Sequence, residues 1–169
     1  YCRVDQTMSN LITTFFYIGH LRPAPGTWGS FAALPAALIL YAIGGPWAVV
    51  IGVGLTYVLG LWATTVETRG KDNHDPSEIV IDEVCGQWIA LLPVLFGAAN
   101  NSVPVLDLWP GWIAAFVLFC LFDITKIGPI GWADKRDDAT GVMLDDVIAG
   151  VFAAICVIIL AGLYHVVLA

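Results

Sequence analysis

The stretch PAPGTWGSFAALPAALILYAIGGPWAVVIGVGLTYVLGLWATTV, residues 23–66, contains no charged side chain over 44 residues. A helix needs about 20 apolar residues to cross the roughly 30 Å hydrocarbon layer of a bilayer, so this stretch is too long for one span. The Gly-Gly-Pro run at residues 44–46 interrupts it near its middle, and such a run is typical of a turn. The sequence therefore predicts two membrane-spanning helices here, over residues 28–43 and 47–66.

The rest of the chain is similarly apolar. Of its 169 residues, 59% are hydrophobic and 12% are charged, and the mean hydropathy is +0.82, whereas soluble domains carry about 25% charged residues. Three more spans are predicted over residues 84–106, 108–122 and 147–169, and a short interfacial helix over residues 11–19. The fold class expected is an all-α, polytopic membrane helical bundle with about five membrane-embedded helices. Residues 8–169 are expected to form one domain, and residues 1–7 to be an expression remnant or a disordered start.

The charges exclude several classes of protein and orient the chain. Seven Lys and Arg against fourteen Asp and Glu would repel a phosphate backbone, so no nucleic acid is expected as a partner. Four cysteines without paired spacing argue against a disulfide scaffold. All seven basic residues lie in residues 1–27, 67–83 and 123–146. By the positive-inside rule these three stretches face the cytoplasm, in agreement with a multi-pass protein of five spans.

Five carboxylates lie at the cytoplasmic edges of three predicted spans. Oxygen ligands on converging helices suit Mg²⁺, which is commonly shared with a substrate phosphate. Because adjacent helical residues point about 100° apart, only one member of each acidic doublet is expected to face a common centre squarely. The competing interpretation is that acids favour helix N-termini, which accounts poorly for an aspartate at the end of the fourth span. The predicted metal ligands are Asp82, Glu83, Asp123, Asp145 and Asp146. Secondary candidates for the site are His74, as a general acid, and the nearby Asp75 and Glu78.

A site for phosphate would need donors at the same depth. The Pro/Gly-rich turn predicted over residues 25–30 opens the first span from the cytoplasmic side, where free N–H groups and hydroxyls can bind an anion. Ordinary N-capping by Thr27 is the alternative for this turn. The basic candidates could instead pair with lipid headgroups. The predicted phosphate-binding residues are Arg22, Gly26, Thr27, Ser30 and Lys126.

Four segments, in this order, resemble the phosphatidylglycerophosphatase A family of bacterial inner-membrane lipid phosphatases. They are PGTWGSFAALP (25–35), DPSEIVIDEVCGQW (75–88), LFDITKIGPIGWAD (121–134) and GVMLDDVIAG (141–150). The resemblance implies Mg²⁺-dependent hydrolysis of phosphatidylglycerophosphate to phosphatidylglycerol and inorganic phosphate, in the pathway to anionic phospholipids and cardiolipin. It implies a multi-pass protein of the inner membrane, with membrane lipids and this phospholipid substrate as its partners. The family's recurrent polar residues fall on Thr27, Asp75, Asp82, Glu83, Asp123, Lys126, Asp145 and Asp146.

The resemblance has departures. The family usually has an Arg near Cys120, a Lys-Pro-Trp-Pro run where this chain reads Lys126-Ile127-Gly128-Pro129, and a Gly-rich loop where this chain has the acidic residues 137–140, Asp-Asp-Ala-Thr. The missing Arg removes one expected phosphate contact, and the acidic loop bears on the headgroup preference.

The resulting hypothesis is that one or two Mg²⁺ ions are held by three aspartates: Asp82, Asp123 and either Asp145 or Asp146. Glu83 orients or deprotonates the attacking water, and Lys126 stabilises the phosphoryl oxygens. An aspartyl-phosphate route through Asp123 stays open, as does a homodimer. The alternative function is a small membrane transporter or ion-handling subunit that uses the same interfacial carboxylates.

Overall fold

The structure, a computed structural model, describes residues 2–70 and 76–168. Within these residues it contains six α-helices, two short 3₁₀ helices and no strand, so the predicted all-helical fold is confirmed. The α-helices are α1 (Cys2–Thr13), α2 (Pro25–Thr68), α3 (Ile81–Asn100), α4 (Trp109–Thr125), α5 (Pro129–Asp134) and α6 (Ala139–Leu168). The 3₁₀ helices are Ile18–His20 and Val105–Leu108.

Four helices in the described residues are long and apolar enough to cross a membrane, and the longest of them, α2, folds back on itself. Its backbone leaves helical geometry at Gly44 and at Gly45, whose φ of 64° is one that glycine adopts without steric cost. A Cβ on Gly52 would lie 2.9 Å from Cδ1 of Leu40, so the two halves of α2 pack against each other across the break. The predicted turn at residues 44–46 is thus confirmed, while the count of five spans stays a prediction.

Several predicted boundaries are wrong. Helix α6 begins at Ala139, eight residues before the predicted span, because a run of uncharged residues does not mark a helix whose first turns carry carboxylates. Residues 25–30 form the first turns of α2 and not a separate turn. The N-terminal helix is Cys2–Thr13 and not residues 11–19, since positive φ angles at residues 15–17 end it, and it includes residues 2–7.

Helix α3 lies at the centre of the bundle. In its most apolar stretch about two thirds of the residues are buried, whereas about a fifth or fewer are buried in the corresponding stretches of the other three long helices. The α2 hairpin packs on one side of it, as the hydrogen bond of 2.8 Å from Trp88 Nε1 to the Ala33 carbonyl shows. Helix α1 is tied to the start of α3 by the Val80 N–H, which donates to the Thr13 carbonyl at 2.8 Å.

Small residues allow α3 and α6 to approach closely. A Cβ on Gly150 of α6 would overlap the carbonyl oxygen of Gly86, and one on Gly86 would lie 2.5 Å from the carbonyl oxygen of Asp146. Backbone therefore meets backbone one turn away from the acidic residues at the start of α3 and in α6. This contact sets how far apart those acidic residues lie.

Candidate functional site

Three aspartates from two helices form a compact carboxylate cluster. One oxygen from each of Asp123, Asp145 and Asp146 lies within 4.8 Å of the others. Both members of the doublet take part, so the expectation that only one would face the centre is wrong. Asp145 and Asp146 are the seventh and eighth residues of α6, whereas the helix dipole acts mainly within the first turn. The dipole therefore does not explain why this doublet is buried.

The acidic doublet of α3 lies beside this cluster. Asp82 and Glu83 are in the first turn of α3 and not before it, and Asp82 is only 7% exposed. Both are close enough to Asp146 to interact with it electrostatically. The Glu83 N–H donates to Asp82 Oδ1 at 2.9 Å, which orients that carboxylate. The structure thus places all five predicted metal ligands, from three helices, at one end of the bundle, and the oxygens of three of them are close enough together to share an ion.

Lys126 supplies a positive charge to the cluster. It caps the C-terminus of α4 in a left-handed conformation, and its Nζ lies 2.5 Å from Asp145 Oδ2 and 3.4 Å from Asp123 Oδ1. Nζ also lies 2.9 Å from Oδ1 of Asp134. Burial by itself lowers the pKa of Lys126, but its hydrogen bonds to Asp145 and Asp134 and the charge of Asp123 raise the pKa overall. Lys126 therefore stays protonated among these carboxylates.

Asp134 is a site residue that was not predicted from the sequence. It ends the short helix α5, which places its carboxylate on Lys126 although the two are eight positions apart. Asp134 is the last residue of the segment LFDITKIGPIGWAD, but no helical periodicity relates it to Lys126, because Gly128 and Pro129 lie between them. Only the tight turn between α4 and α5, in which a Cβ on Gly131 would lie 2.5 Å from the Lys126 carbonyl oxygen, brings them together.

The first turns of α2 hold Glu83. The Ser30 hydroxyl donates to Glu83 Oε2, and a Cβ on Gly26 would overlap Glu83 Oε1. The residue before α2 is Ala24, which makes no side-chain cap, so the alternative of N-capping by Thr27 is wrong. Thr27 is exposed in the first turn of α2, where backbone N–H groups have no acceptor within the helix. These groups remain suited to an anion beside Glu83.

Other predicted residues lie elsewhere. Arg22 is exposed and its guanidinium lies 3.0 Å from Glu78 Oε1. The Glu78 carboxylate therefore faces Arg22 and is not among the clustered aspartates. His74 and Asp75 lie outside the described residues.

Cys120 marks the position near which the resemblance leads one to expect an arginine. Cys120 lies on α4 three residues before Asp123, on the same side of the helix, and it is half-buried. A side chain at this position of α4 thus faces the site. Because this chain has a neutral residue there, Lys126 is the basic residue that the described part of the chain places among the clustered aspartates.

Comparisons with known proteins point to one family. The family model for phosphatidylglycerophosphatase A matches residues 11–161. The phosphatidylglycerophosphatase A of Haemophilus influenzae is 36% identical over 149 residues, covering 88% of this chain and 85% of the relative. That of Escherichia coli is 35% identical over 155 residues, covering 87% and 81%.

A third relative has a different name. The putative phosphatidylinositol-3-phosphatase of Bacteroides thetaiotaomicron is 36% identical over 152 residues, covering 87% of this chain and 89% of the relative. No solved structure matches the chain significantly.

Proposed function

Because the chain belongs to the phosphatidylglycerophosphatase A family, and so is a phosphoric monoester hydrolase, we propose that it hydrolyses phosphatidylglycerophosphate with the aid of Mg²⁺. The products are phosphatidylglycerol and inorganic phosphate. The observation that carries this proposal is the meeting of five carboxylates and Lys126 at one end of a bundle of membrane-length helices. Hydrolysis of a phosphate monoester needs charge stabilisation and an oriented water more than it needs covalent chemistry.

The donor set fits a hard divalent cation. Asp123, Asp145 and Asp146 offer oxygens within 4.8 Å of one another, and the last two are nearly buried. Buried carboxylates are costly unless cations compensate them, and Lys126 provides only one positive charge. These three aspartates, with Asp82 beside them, would hold Mg²⁺, for which oxygen ligands are preferred. When bound, the ion would supply positive charge to the phosphoryl oxygens.

The protein's own groups supply orientation and proton transfer. Glu83 is fixed between the Ser30 hydroxyl and the first turn of α2, close to the aspartates, so it is placed to take a proton from the attacking water. The water oxygen bonds to phosphorus, the ester P–O bond breaks, and the lipid alcohol leaves with a proton from the medium. Lys126 compensates the charge of the phosphoryl oxygens, and the first-turn amides of α2 bind one of them.

The site's position suits a substrate that stays in the membrane. In the sequence, the three stretches that hold all seven basic residues, 1–27, 67–83 and 123–146, also hold the acidic residues of the site, which supports an active site facing the cytoplasm, in the inner membrane. The phosphate would meet the carboxylates at the interface while the acyl chains remain in the bilayer. The reaction would then serve the synthesis of phosphatidylglycerol and cardiolipin.

The first experiment is phosphate release in detergent micelles, with and without Mg²⁺. The substrates are phosphatidylglycerophosphate, phosphatidic acid, soluble glycerol phosphate and, because of the relative from Bacteroides, phosphatidylinositol 3-phosphate. We expect Mg²⁺-dependent release from the first lipid and much less from the others. Release mainly from phosphatidylinositol 3-phosphate would reassign the headgroup. No release from any substrate, with folded protein, would favour the transporter or ion-handling alternative.

A further inference from the structure

Gln87 carries an amide that nothing in the described part of the chain satisfies. Its side chain is fully buried, and neither Nε2 nor Oε1 has a hydrogen-bond partner among the described residues. Most buried polar side-chain atoms in folded proteins are paired, because an unpaired one loses its bonds to water without replacement. A buried amide without a hydrogen-bond partner destabilises the fold, so we expect it to be retained for a function.

The position of Gln87 connects it to the active site. Glu83, Gln87 and Val94 follow the spacing of one helix face, and Gln87 lies one turn, about 6 Å, deeper than Glu83. On this face Glu83 accepts the Ser30 hydroxyl of α2, and Val94 packs against Gly111 of α4. Gln87 thus lies at the seam between the first half of α2 and α4, directly below the residue that is placed to orient water.

Small residues and an aromatic pair line the seam. The buried residues of the first half of α2 are all small: Gly29, Ser30, Ala33 and Ala37. The rings of Phe31 of α2 and Phe116 of α4 meet across the seam with centroids 6.2 Å apart, and Phe31 is 56% exposed. Since Phe31 follows Ser30 directly, this aromatic pair lies beside the site.

Resting on the proposed function, we propose that Gln87 is a specificity-determining residue that binds the free hydroxyl of the glycerol bridging the two phosphates of the substrate. A hydroxyl both donates and accepts, so it satisfies both orphaned atoms of the amide. A phosphodiester only accepts and would leave Oε1 unpaired, and acyl chains do neither. The bridging hydroxyl is only a few bonds from the monoester phosphorus, which matches a residue one helical turn from Glu83.

The test compares two lipids in Mg²⁺-containing micelles. One is phosphatidylglycerophosphate, and the other has propane-1,3-diol in place of the bridging glycerol and so lacks only the hydroxyl. We expect wild-type protein to prefer the first lipid by at least about 100-fold in kcat/KM, because a site built to bind a hydroxyl discriminates strongly against its absence. In Gln87→Leu the preference should collapse to within about threefold. Its melting temperature should stay equal or rise, since two orphaned atoms leave the core.

Thr64→Val provides a matched control. Like the two amide atoms of Gln87, Thr64 Oγ1 is buried and has no hydrogen-bond partner among the described residues. Thr64 lies in the second half of α2. This variant should keep the wild-type preference between the two lipids. A wild-type protein that hydrolyses both lipids equally well would overturn the role of Gln87, and this measurement needs no variant. An equal loss on both lipids with a lower melting temperature would overturn it too. If wild-type protein cleaves neither lipid, the proposed function itself fails.

Discussion

Replacing Gly150 by alanine tests whether backbone contact between α3 and α6 sets the geometry of the site. A Cβ at this position would overlap the Gly86 carbonyl oxygen and lie 3.0 Å from its carbonyl carbon and 3.1 Å from its Cα. Ordinary contacts begin near 3.4 Å, and the neighbour is backbone, so one helix must move by about 0.5–1 Å. We expect a stability loss of about 1–3 kcal/mol from overpacking. Because Asp146 is one turn from Gly150, a shift approaching 1 Å should lower kcat about 100-fold.

The assay is Mg²⁺-dependent phosphate release from phosphatidylglycerophosphate, combined with thermal unfolding in the same detergent. Gly162→Ala is the matched control on the same helix, because a Cβ there meets nothing within 4 Å. This control should keep wild-type activity, and its stability should not fall, since alanine favours helix by roughly 1 kcal/mol over glycine. Wild-type turnover and melting temperature in Gly150→Ala would show that the close approach does not control the site.

Three further changes probe the charged groups. Asp146→Asn should lower turnover about 100-fold or more, because it removes a proposed Mg²⁺ ligand. In the presence of chelator it should raise the melting temperature, because it relieves repulsion among the clustered carboxylates. A lower melting temperature in chelator would contradict this explanation. Lys126→Gln should cost about 1–3 kcal/mol and make the melting temperature more dependent on Mg²⁺, since it removes the cation bonded to Asp145; equal sensitivity to chelator in variant and wild type would argue against this. Arg22→Gln should change kcat/KM by less than about threefold. Arg22 is exposed, and its surface ion pair with Glu78 is worth at most about 1 kcal/mol. A larger loss would support the phosphate contact that the sequence predicts for Arg22.

The order of the long apolar helices follows from the sequence. An uncharged run longer than one span, broken by Gly-Gly-Pro, predicts a helical hairpin, and the contact between Gly52 and Leu40 confirms it. The same reasoning misplaced the start of α6, because it identifies helices by their apolar residues. The first turns of α6 carry carboxylates that are buried against other charged groups, and such turns do not look apolar.

The sequence also supplied the acidic residues of the site, because carboxylates are rare in a chain so apolar and these lie at the ends of its apolar runs. What it could not supply is their arrangement. A one-dimensional pattern gives each aspartate a depth and a helix face, but not which neighbouring helix it meets. For the acidic doublet at residues 145–146, the sequence left two explanations open: stabilisation by the dipole at a helix N-terminus, or binding of a metal ion. The dipole explanation requires the doublet to lie in the first turn of α6, and only the structure shows where α6 begins.

By itself, then, the sequence determined the all-helical class, the hairpin and the set of carboxylates, because hydropathy and charge act on each segment locally. The tertiary structure alone decided three things. It placed Asp134 on Lys126, turned Arg22 toward Glu78, and left the amide of Gln87, one turn below Glu83, without a hydrogen-bond partner among the described residues. Each of these depends on contacts between segments distant in the chain or on a tight turn between two helices, and no local pattern records which side chains such packing brings together.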